Sequence, residues 1–429
     1  MSTRILCTGD IHLGRRPTRL PDEVDPRALG PAAAFGRFVD LALQRRVHAA
    51  VLTGDVVDAG NRFYEAYAIL QAGVKKLLDG GVPVLAVAGN HDHDVLARLA
   101  DEVTGFRLLG RGGHWEEATI PGEDGAPVRL LGWSFPDRHV HVNPLEHGFP
   151  DVAADGLTIG LLHCDCDVRS SSYAPVALAE LLARPLAAWL LGHVHRPALV
   201  HEGVPLVLYP GSPQGLDPGE PGPHGAWIVD FAKGAAPRAE LLPLAPLRYE
   251  PLEVPLDGAG SENDFERAVL DAVRRRHEAI QPELATVRWV ACRLRFTGRT
   301  ALHRSLPAMA QNVCDALRVP IDEVEYFCEK AESDATRPDH SLDDLARSSD
   351  PAGLLARRLL TLERREPAAA YESVMRRGRR AVEEERKLSA YLILDDAMQP
   401  PDDEHVRQTL LRAGFAVLDE LMAQKEAAP

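Results

Sequence analysis

Five short clusters of carboxylate, amide and imidazole side chains carry the reactive chemistry of this chain. They are "GDIH" with Asp10 and His12, "GDVVD" with Asp55, "GNHD" with Asn90, His91 and Asp92, "HCD" opening at His163, and "GHVH" with His193 and His195. Each supplies hard oxygen or imidazole donors, the mixture that suits manganese, iron or zinc better than a thiolate site does. Asp10 and His12 stand one residue apart, as do His193 and His195, so both members of each pair can point into one cavity. The glycines at 9, 54, 89 and 192 let the backbone turn sharply and leave room beside a substrate. Taken singly, a Gly-Asp pair is an ordinary turn, and one histidine among seventeen is more often surface or core than ligand. What makes a site of them is shared position, because each cluster follows directly on a short apolar run.

Those runs are "RILCT" (4–8), "AAVLT" (49–53), "PVLAVA" (83–88), "LTIGLL" (157–162) and "LAAWLL" (186–191), all read as buried strands. With helical patterns near 33–44 and 64–78 between the early ones, they predict an α/β domain. Ligands of open α/β sheets gather beyond the carboxyl ends of strands, so clusters distant in sequence should converge there. The Pro/Gly-rich stretch "YPGSPQGLDPGEPGPHG" (209–225) reads as a long surface loop, "WIVDF" (227–231) as a closing strand, and "KGAAPRAE" as a linker.

A smaller α/β unit is expected from about Leu247. Phe265, Ala268, Val269, Ala272 and Val273 recur at helical spacing behind a capping box of Ser261 and Asp264. "TVRWVACRLRFTG" (286–298) alternates, with Val290, Cys292, Leu294 and Phe296 on one face and Arg293 and Arg295 on the other. Beyond about Ser333 the chain reads as helical and polar, with a proline-bounded segment at "MQPPDD" (398–403). The stretch "ESVMRRGRRAVEEERKL" (372–388) pairs Arg379 with Glu383 and Arg380 with Glu384 at i,i+4 spacing. Leu411, Phe415, Leu418 and Met422 form one stripe of a final helix, which must be buried somewhere.

A formal net charge of −15 argues against indiscriminate wrapping of nucleic acid, yet a nuclease holding divalent cations brings its own positive charge. Between Phe265 and Arg304, nine arginines face four acids, a local surplus that suits either phosphate tracking or a solvated, salt-bridged surface. The six scattered cysteines suit reduced thiols, and the close pair Cys164 and Cys166 lacks the second pair of a zinc site. No apolar stretch reaches membrane-spanning length and the first residues lack a signal-peptide layout, so the expected setting is cytoplasmic, without a membrane.

"GDIHLGR", "GDVVD", "GNHD", the histidine of "HCD" and "GHVH" resemble, in order, the five motifs of the calcineurin-like metallophosphoesterases, over roughly residues 4–231. The resemblance implies an α/β fold, a two-sheet αββα sandwich with a two-metal site at one edge. Carried over, the first metal would take Asp10, His12, Asp55 and His195, and the second Asn90, His163 and His193, with Asp55 bridging both. His91 would stabilise the transition state or protonate the leaving oxygen, and Asp92 would orient its ring. Two divalent ions, Mn²⁺ first and Fe²⁺, Mg²⁺ or Zn²⁺ as alternatives, would clamp a phosphoryl group through an in-line displacement. His139, His141 and His147 lie upstream of His163 without a comparable strand before them.

Within that superfamily, "GDIHLGR" with Arg15, the "GDVVDAG" continuation and "YPGSPQG" with Ser212 and Gln214 look similar to the nuclease subunits of the bacterial SbcCD type and their archaeal and eukaryotic relatives. Some relatives place a histidine where Asp58 closes "GDVVD". The resemblance implies a nuclease domain over 1–240, a small α/β cap over 246–332 that guides DNA, and a helical region over 333–429 that docks on an ATPase. Arg15, Ser212, Gln214, Arg293 and Arg295 are then the substrate-binding candidates. The expected activity is that of a DNA exonuclease and endonuclease of repair and recombination. Its expected partners are DNA and an SMC-like coiled-coil ATPase, and a homodimer is compatible with it. The rivals are a small-nucleotide phosphodiesterase or phosphoprotein phosphatase of the same fold, and an assembly module whose metals are structural.

Overall fold

The computed structural model describes all residues except 1, 19, 22–23, 59–62, 124, 153–155, 169, 339–340, 387–401 and 428–429. The apolar runs become short strands: β1 (Ser2–Thr8), β2 (Ala49–Leu52), β3 (Val84–Ala86), β4 (Phe106–Leu108), β5 (Glu116–Pro121), β6 (Pro127–Trp133), β7 (Leu157–His163), β8 (Ala188–Gly192), β9 (Ala198–His201), β10 (Leu206–Tyr209), β11 (Gly225–Ala232) and β12 (Arg238–Pro243). They form two six-stranded sheets, ordered β12-β11-β1-β2-β3-β4 and β5-β6-β7-β8-β10-β9. β1 to β4 are parallel neighbours, as are β6, β7, β8 and β10, so the carboxyl ends within each run share an edge.

Alternation along each strand decides which layer its side chains enter. Ile5, Cys7, Ala49 and Val51 meet Ile159, Leu161, Ala188 and Leu190 in a core between the sheets. Their sequence neighbours Leu6, Ala50 and Leu52 face the other way, onto Phe35, Phe38, Leu70 and Leu96. Those residues come from α1 (Pro31–Arg45), α2 (Phe63–Asp79) and α3 (Val95–Glu102), the first two beginning slightly before the predicted helical patterns. Outside the second sheet, Leu162, Trp189 and Leu191 pack beneath α4 (Leu178–Leu182) and its flanking loops. This is the αββα sandwich. The segment expected as a linker is instead a turn followed by β12, a polar edge strand whose backbone pairs with β11.

Downstream, β13 (Leu247–Pro255), β14 (Trp289–Thr300), β15 (Arg318–Ile321) and β16 (Val324–Pro338) form a four-stranded sheet in the order β13-β14-β16-β15, accompanied by α5 (Glu262–Ile280) and α6 (Leu306–Ala316). Val290, Cys292, Leu294 and Phe296 are buried, as their spacing predicted, and the Ser261 hydroxyl donates to Asp264 at 2.6 Å at the start of α5. β16 runs past Ser333, where helix was expected, because buried positions continue in the strand as far as Thr336.

Contacts divide the chain into two compact units, Met1–Leu252 with Val273–Arg293 and Ala316–Lys330, and Glu253–Ala272 with Leu294–Asp315 and Ala331–Pro429. The predicted cap over 246–332 therefore contributes segments to both. The second unit carries α7 (Leu342–Leu345), α8 (Pro351–Arg364), α9 (Ala368–Arg386) and α10 (Asp403–Ala427). Leu411, Phe415 and Leu418 are buried there with Leu359, Leu362 and Met375, so the stripe on the final helix is covered by this chain's own helices. Arg380 pairs with Glu384 at 2.8 Å, whereas Arg379 reaches Asp403 at 2.7 Å and Glu372 rather than Glu383. Residues 387–388 and the first four of "MQPPDD" lie outside the described residues. Among the described residues no helix is long and apolar enough to cross a membrane.

Candidate metal centre

The donor side chains stand on tight turns beyond the strand ends, and their backbones are unusual. Asp10, His12, Asp55 and His193 adopt φ values of 47°, 51°, 50° and 97°, a region that non-glycine residues enter only when the surroundings hold them there. Hydrogen bonds between the first two turns do so. Asp10 N–H donates to the Gly54 carbonyl at 3.0 Å and His12 N–H to that of Asp55 at 3.0 Å. Close approach explains two of the glycines: a Cβ on Gly89 would stand 2.3 Å from Asp55 Oδ1, and one on Gly192 would stand 1.9 Å from the Thr53 carbonyl oxygen.

Asp55 lies between two donor groups. On one side His12 Nε2 is 3.9 Å from Asp55 Oδ2 and 3.1 Å from His195 Nε2. On the other, His163 Nε2 is 3.6 Å from Asp55 Oδ2 and 3.1 Å from Asn90 Oδ1. Donor atoms of Asp10, His12 and His195 all fall within 4.8 Å of one another, and those of Asp10, Asp55 and His163 do likewise.

The ring orientations are fixed from outside. His163 Nδ1–H donates to the Thr53 carbonyl at 3.1 Å, and His195 Nδ1–H to Glu220 Oε1 at 2.7 Å, which turns each Nε2 inward. Burial pushes the His163 imidazole down to about 4, so its Nε2 offers a lone pair to the Asn90 oxygen, and two acceptors facing each other repel unless a cation lies between them. Burial likewise pushes His12 down to about 3, and its Nδ1 is buried without a hydrogen-bond partner. Burial would also lower His195, but the Glu220 hydrogen bond and the Asp10 charge overcome it and carry the ring up to about 9. Burial pushes Asp10 up to about 7 against the pull of His195, with Asp55 adding to the rise. Asp55 is held below the usual carboxylate range despite burial, because His163, His12 and His91 surround it. Imidazoles, carboxylates and an amide oxygen converging on one carboxylate fit a pair of divalent cations.

The other predicted residues divide into groups. His193 lies beside His163, its Nε2 3.4 Å from Asp165 Oδ1 and its backbone N–H donating to Asp10 at 3.1 Å, and among the described residues it falls in none of the donor groups within 4.8 Å. His91 N–H donates to Asp55 Oδ1 at 2.8 Å, and its half-buried ring meets His12 edge-on. Asp92 does not orient that ring. Its carboxylate folds beneath the turn, fully buried, and accepts from Gly89 N–H at 2.8 Å and Val56 N–H at 2.7 Å, so it braces the Asp55 and Asn90 turns. The carboxylate beside His91 is Asp58, grouped with His12 and His91 within 4.8 Å, and Asp58 accepts from Arg15 Nε at 2.8 Å. Arg15 is thereby fixed, partly exposed, against Asp58.

Ser212 and Gln214 correct the sequence reading. Both are buried: Ser212 Oγ contacts His224 Nδ1 at 3.0 Å, and Gln214 Nε2 donates to the carbonyls of Gly215 and Leu247. They anchor the loop under His195 instead of facing a substrate: residues 209–216 are buried, while 217–223 reach the surface as expected. Arg293 pairs with Glu329 at 3.1 Å, while Arg295 is exposed on its strand. Glu220 and Asp165, which orient His195 and His193, went unread in the sequence. Neither lies at a diagnostic spacing, and an acid in a Gly/Pro-rich stretch is the only hint of Glu220.

Residues 3–197 match the calcineurin-like phosphoesterase family, and residues 249–336 match the middle domain of the metallophosphoesterase YhaO. The chain is 26% identical over 210 residues to an uncharacterized metallophosphoesterase YhaO of Bacillus subtilis (strain 168), covering 47% of this chain and 50% of that protein. It is 28% identical over 331 residues to the DNA double-strand break repair protein Mre11 of Haloferax volcanii, covering 72% of this chain and 65% of that one. The matched segments thus span about half to two thirds of these relatives. Among solved structures, the calcineurin-like phosphoesterase YfkN from Bacillus subtilis aligns with a TM-score of 0.38 at 13% identity, over 65% of this chain and 99% of that one. The turns that gather Asp10, Asp55, Asn90, His163 and His195 around one edge of the sandwich therefore all lie within the segment similar to the calcineurin-like phosphoesterases, a family of metal-dependent hydrolases.

Proposed function

We propose that the protein is a DNA nuclease that hydrolyses phosphodiester bonds as an exonuclease and endonuclease of DNA repair. The observation that carries the chemistry is the shared Asp55 carboxylate between two convergent donor groups, a plan for two cations. Support for DNA as substrate comes from the similarity to the Haloferax repair protein over 72% of this chain. When bound, two divalent cations, manganese foremost, supply the Lewis-acid charge that an in-line phosphoryl displacement needs. The chain's own groups do the rest. His91, placed by its backbone bond to Asp55 and flanked by Asp58, gives a proton to the leaving oxygen. Arg15, held by Asp58, offers its remaining guanidinium edge to a phosphate oxygen. The reading includes an SMC-like coiled-coil ATPase as partner and a cytoplasmic setting in which all six free cysteines stay reduced.

Purified protein incubated with linear and hairpin DNA plus Mn²⁺ is expected to release nucleotides. Asp55→Asn and His91→Ala are each expected to lower that rate by roughly a hundredfold or more. No release by the unmodified protein overturns the proposal. A second reading, a phosphodiesterase for small esters, is favoured by the match of 249–336 to the YhaO middle domain and by the internal pairing of Arg293 with Glu329 and Arg276 with Glu250. It predicts turnover of bis(p-nitrophenyl) phosphate far above DNA cleavage, with no loss on Arg295→Glu.

A further inference from the structure

His139 and His141 flank Val140 in the segment that leaves the carboxyl end of β6, and neither belongs to the donor groups around Asp55. Val140 is buried and pairs with the chain opposite: its N–H donates to the Ser172 carbonyl at 2.8 Å, and its own carbonyl accepts from Ala174 N–H at 2.7 Å. An extended chain whose middle residue turns inward must turn its neighbours outward, and both imidazoles are exposed. Their rings stack with centroids 6.4 Å apart and planes 17° from parallel. His139 lies 5.8 Å from the Tyr173 ring, which in turn lies 4.7 Å from the ring of His193. His193, Tyr173, His139 and His141 therefore form a continuous ladder from the metal centre to solvent.

Folding does not account for the outer half of this ladder, since exposed rings gain little burial. Aligned, solvent-facing rings at such separations are what proteins use to receive the flat faces of unpaired bases. The backbone pairing at Val140 holds them in place before any substrate arrives, so little ordering entropy opposes binding.

We infer that the ladder is a base-stacking subsite, in which His139 and His141 receive nucleobases next to the phosphate engaged at the metal centre. The inference rests on the nuclease reading and deepens it: the recognised feature is the π-face of a base in single-stranded DNA, without sequence preference. The experiment compares Mn²⁺-dependent cleavage of a single-stranded oligodeoxynucleotide with that of the same oligonucleotide carrying abasic residues at its ends. The unmodified protein is expected to prefer the base-bearing strand by about tenfold in kcat/KM, expressed in KM. The double variant His139→Ala, His141→Ala is expected to lose that preference. The double variant His139→Phe, His141→Phe, which keeps flat rings without nitrogen, is expected to retain it. A preference untouched by alanine, or lost equally with phenylalanine, overturns the stacking subsite and leaves the nuclease reading standing. Failure of the unmodified protein to cleave either strand overturns both.

Discussion

Glu220 does for His195 what the Thr53 carbonyl does for His163: each accepts a hydrogen bond from Nδ1–H and aims the opposite nitrogen inward. Replacing Glu220 by alanine is expected to weaken Mn²⁺ binding by roughly 10- to 100-fold. Titration calorimetry measures this, and an unchanged affinity would remove His195 from the ligand set. Binding must also displace protons, because burial holds Asp10 up to about 7 and Glu220 lifts His195 to about 9. Cations take only the ionised carboxylate and the neutral ring, so raising pH removes the competing protons and affinity climbs. The climb is steepest below about 7, where both groups are protonated, gentler from there to about 9, where His195 alone retains its proton, and flat above. Calorimetry at pH 7 in buffers of different ionisation enthalpy should show proton release, and none would contradict the protonated resting site. The convergence of Asp10, His12, Asp55, His163 and His195 was legible because each is a hard donor directly after an apolar run. Glu220 and Asp165 were not, since their roles depend on which loops the fold brings together. Ser212 and Gln214 were misread for the converse reason: polarity suggested exposure, whereas His224 holds the Ser212 hydroxyl and buried carbonyls accept from Gln214 Nε2.

Elements set the ångström-scale tolerance of the site. β8 ends at Gly192, where any Cβ would press on the Thr53 carbonyl, a backbone atom of the turn that carries Asp55. Gly192→Ala is therefore expected to cost about 1–3 kcal/mol of stability and to weaken Mn²⁺ binding, because the turns bearing His193 and Asp55 must separate. Gly36 is the control, exposed in α1 with nothing within 4 Å of the point where a Cβ would stand. Gly36→Ala should stabilise the chain by about 0.5–1 kcal/mol and leave Mn²⁺ affinity alone. Urea unfolding with and without Mn²⁺ measures both, and equal behaviour of the two variants would refute the steric argument. The strands that bear ligands were legible because they are buried on both faces and read as continuous apolar runs. β12 and the last third of β16 escaped the same reading: an edge strand such as "RAELLP" is held by its backbone ladder to β11, which leaves little trace in side-chain pattern.

For the whole molecule, linear order misled where strands run from one compact unit into the next. β13 and β14 each start in the first unit and end in the second, so the compact units are not continuous stretches of sequence. That division makes a prediction about metal removal. Cations that bind only the folded centre stabilise it by mass action, about 2.7 kcal/mol at a hundred times Kd, and they also relieve repulsion between Asp10 and Asp55. A shift of that size corresponds to roughly 4–5 °C in the melting of a unit this large. The helical core around Leu359, Phe415 and Leu418 in the second unit contains none of the ligands. Calorimetry of the full chain is therefore expected to show excess Mn²⁺ raising one transition and a chelator reversing it, while the transition of the helical core stays put. Leu418→Ala, at a side chain with no exposure, should lower that second transition by about 2–5 kcal/mol and leave the Mn²⁺-dependent shift intact. A metal-dependent shift of both transitions by the same amount, or of neither, would mean that the cations do not bind where Asp55 joins the two donor groups.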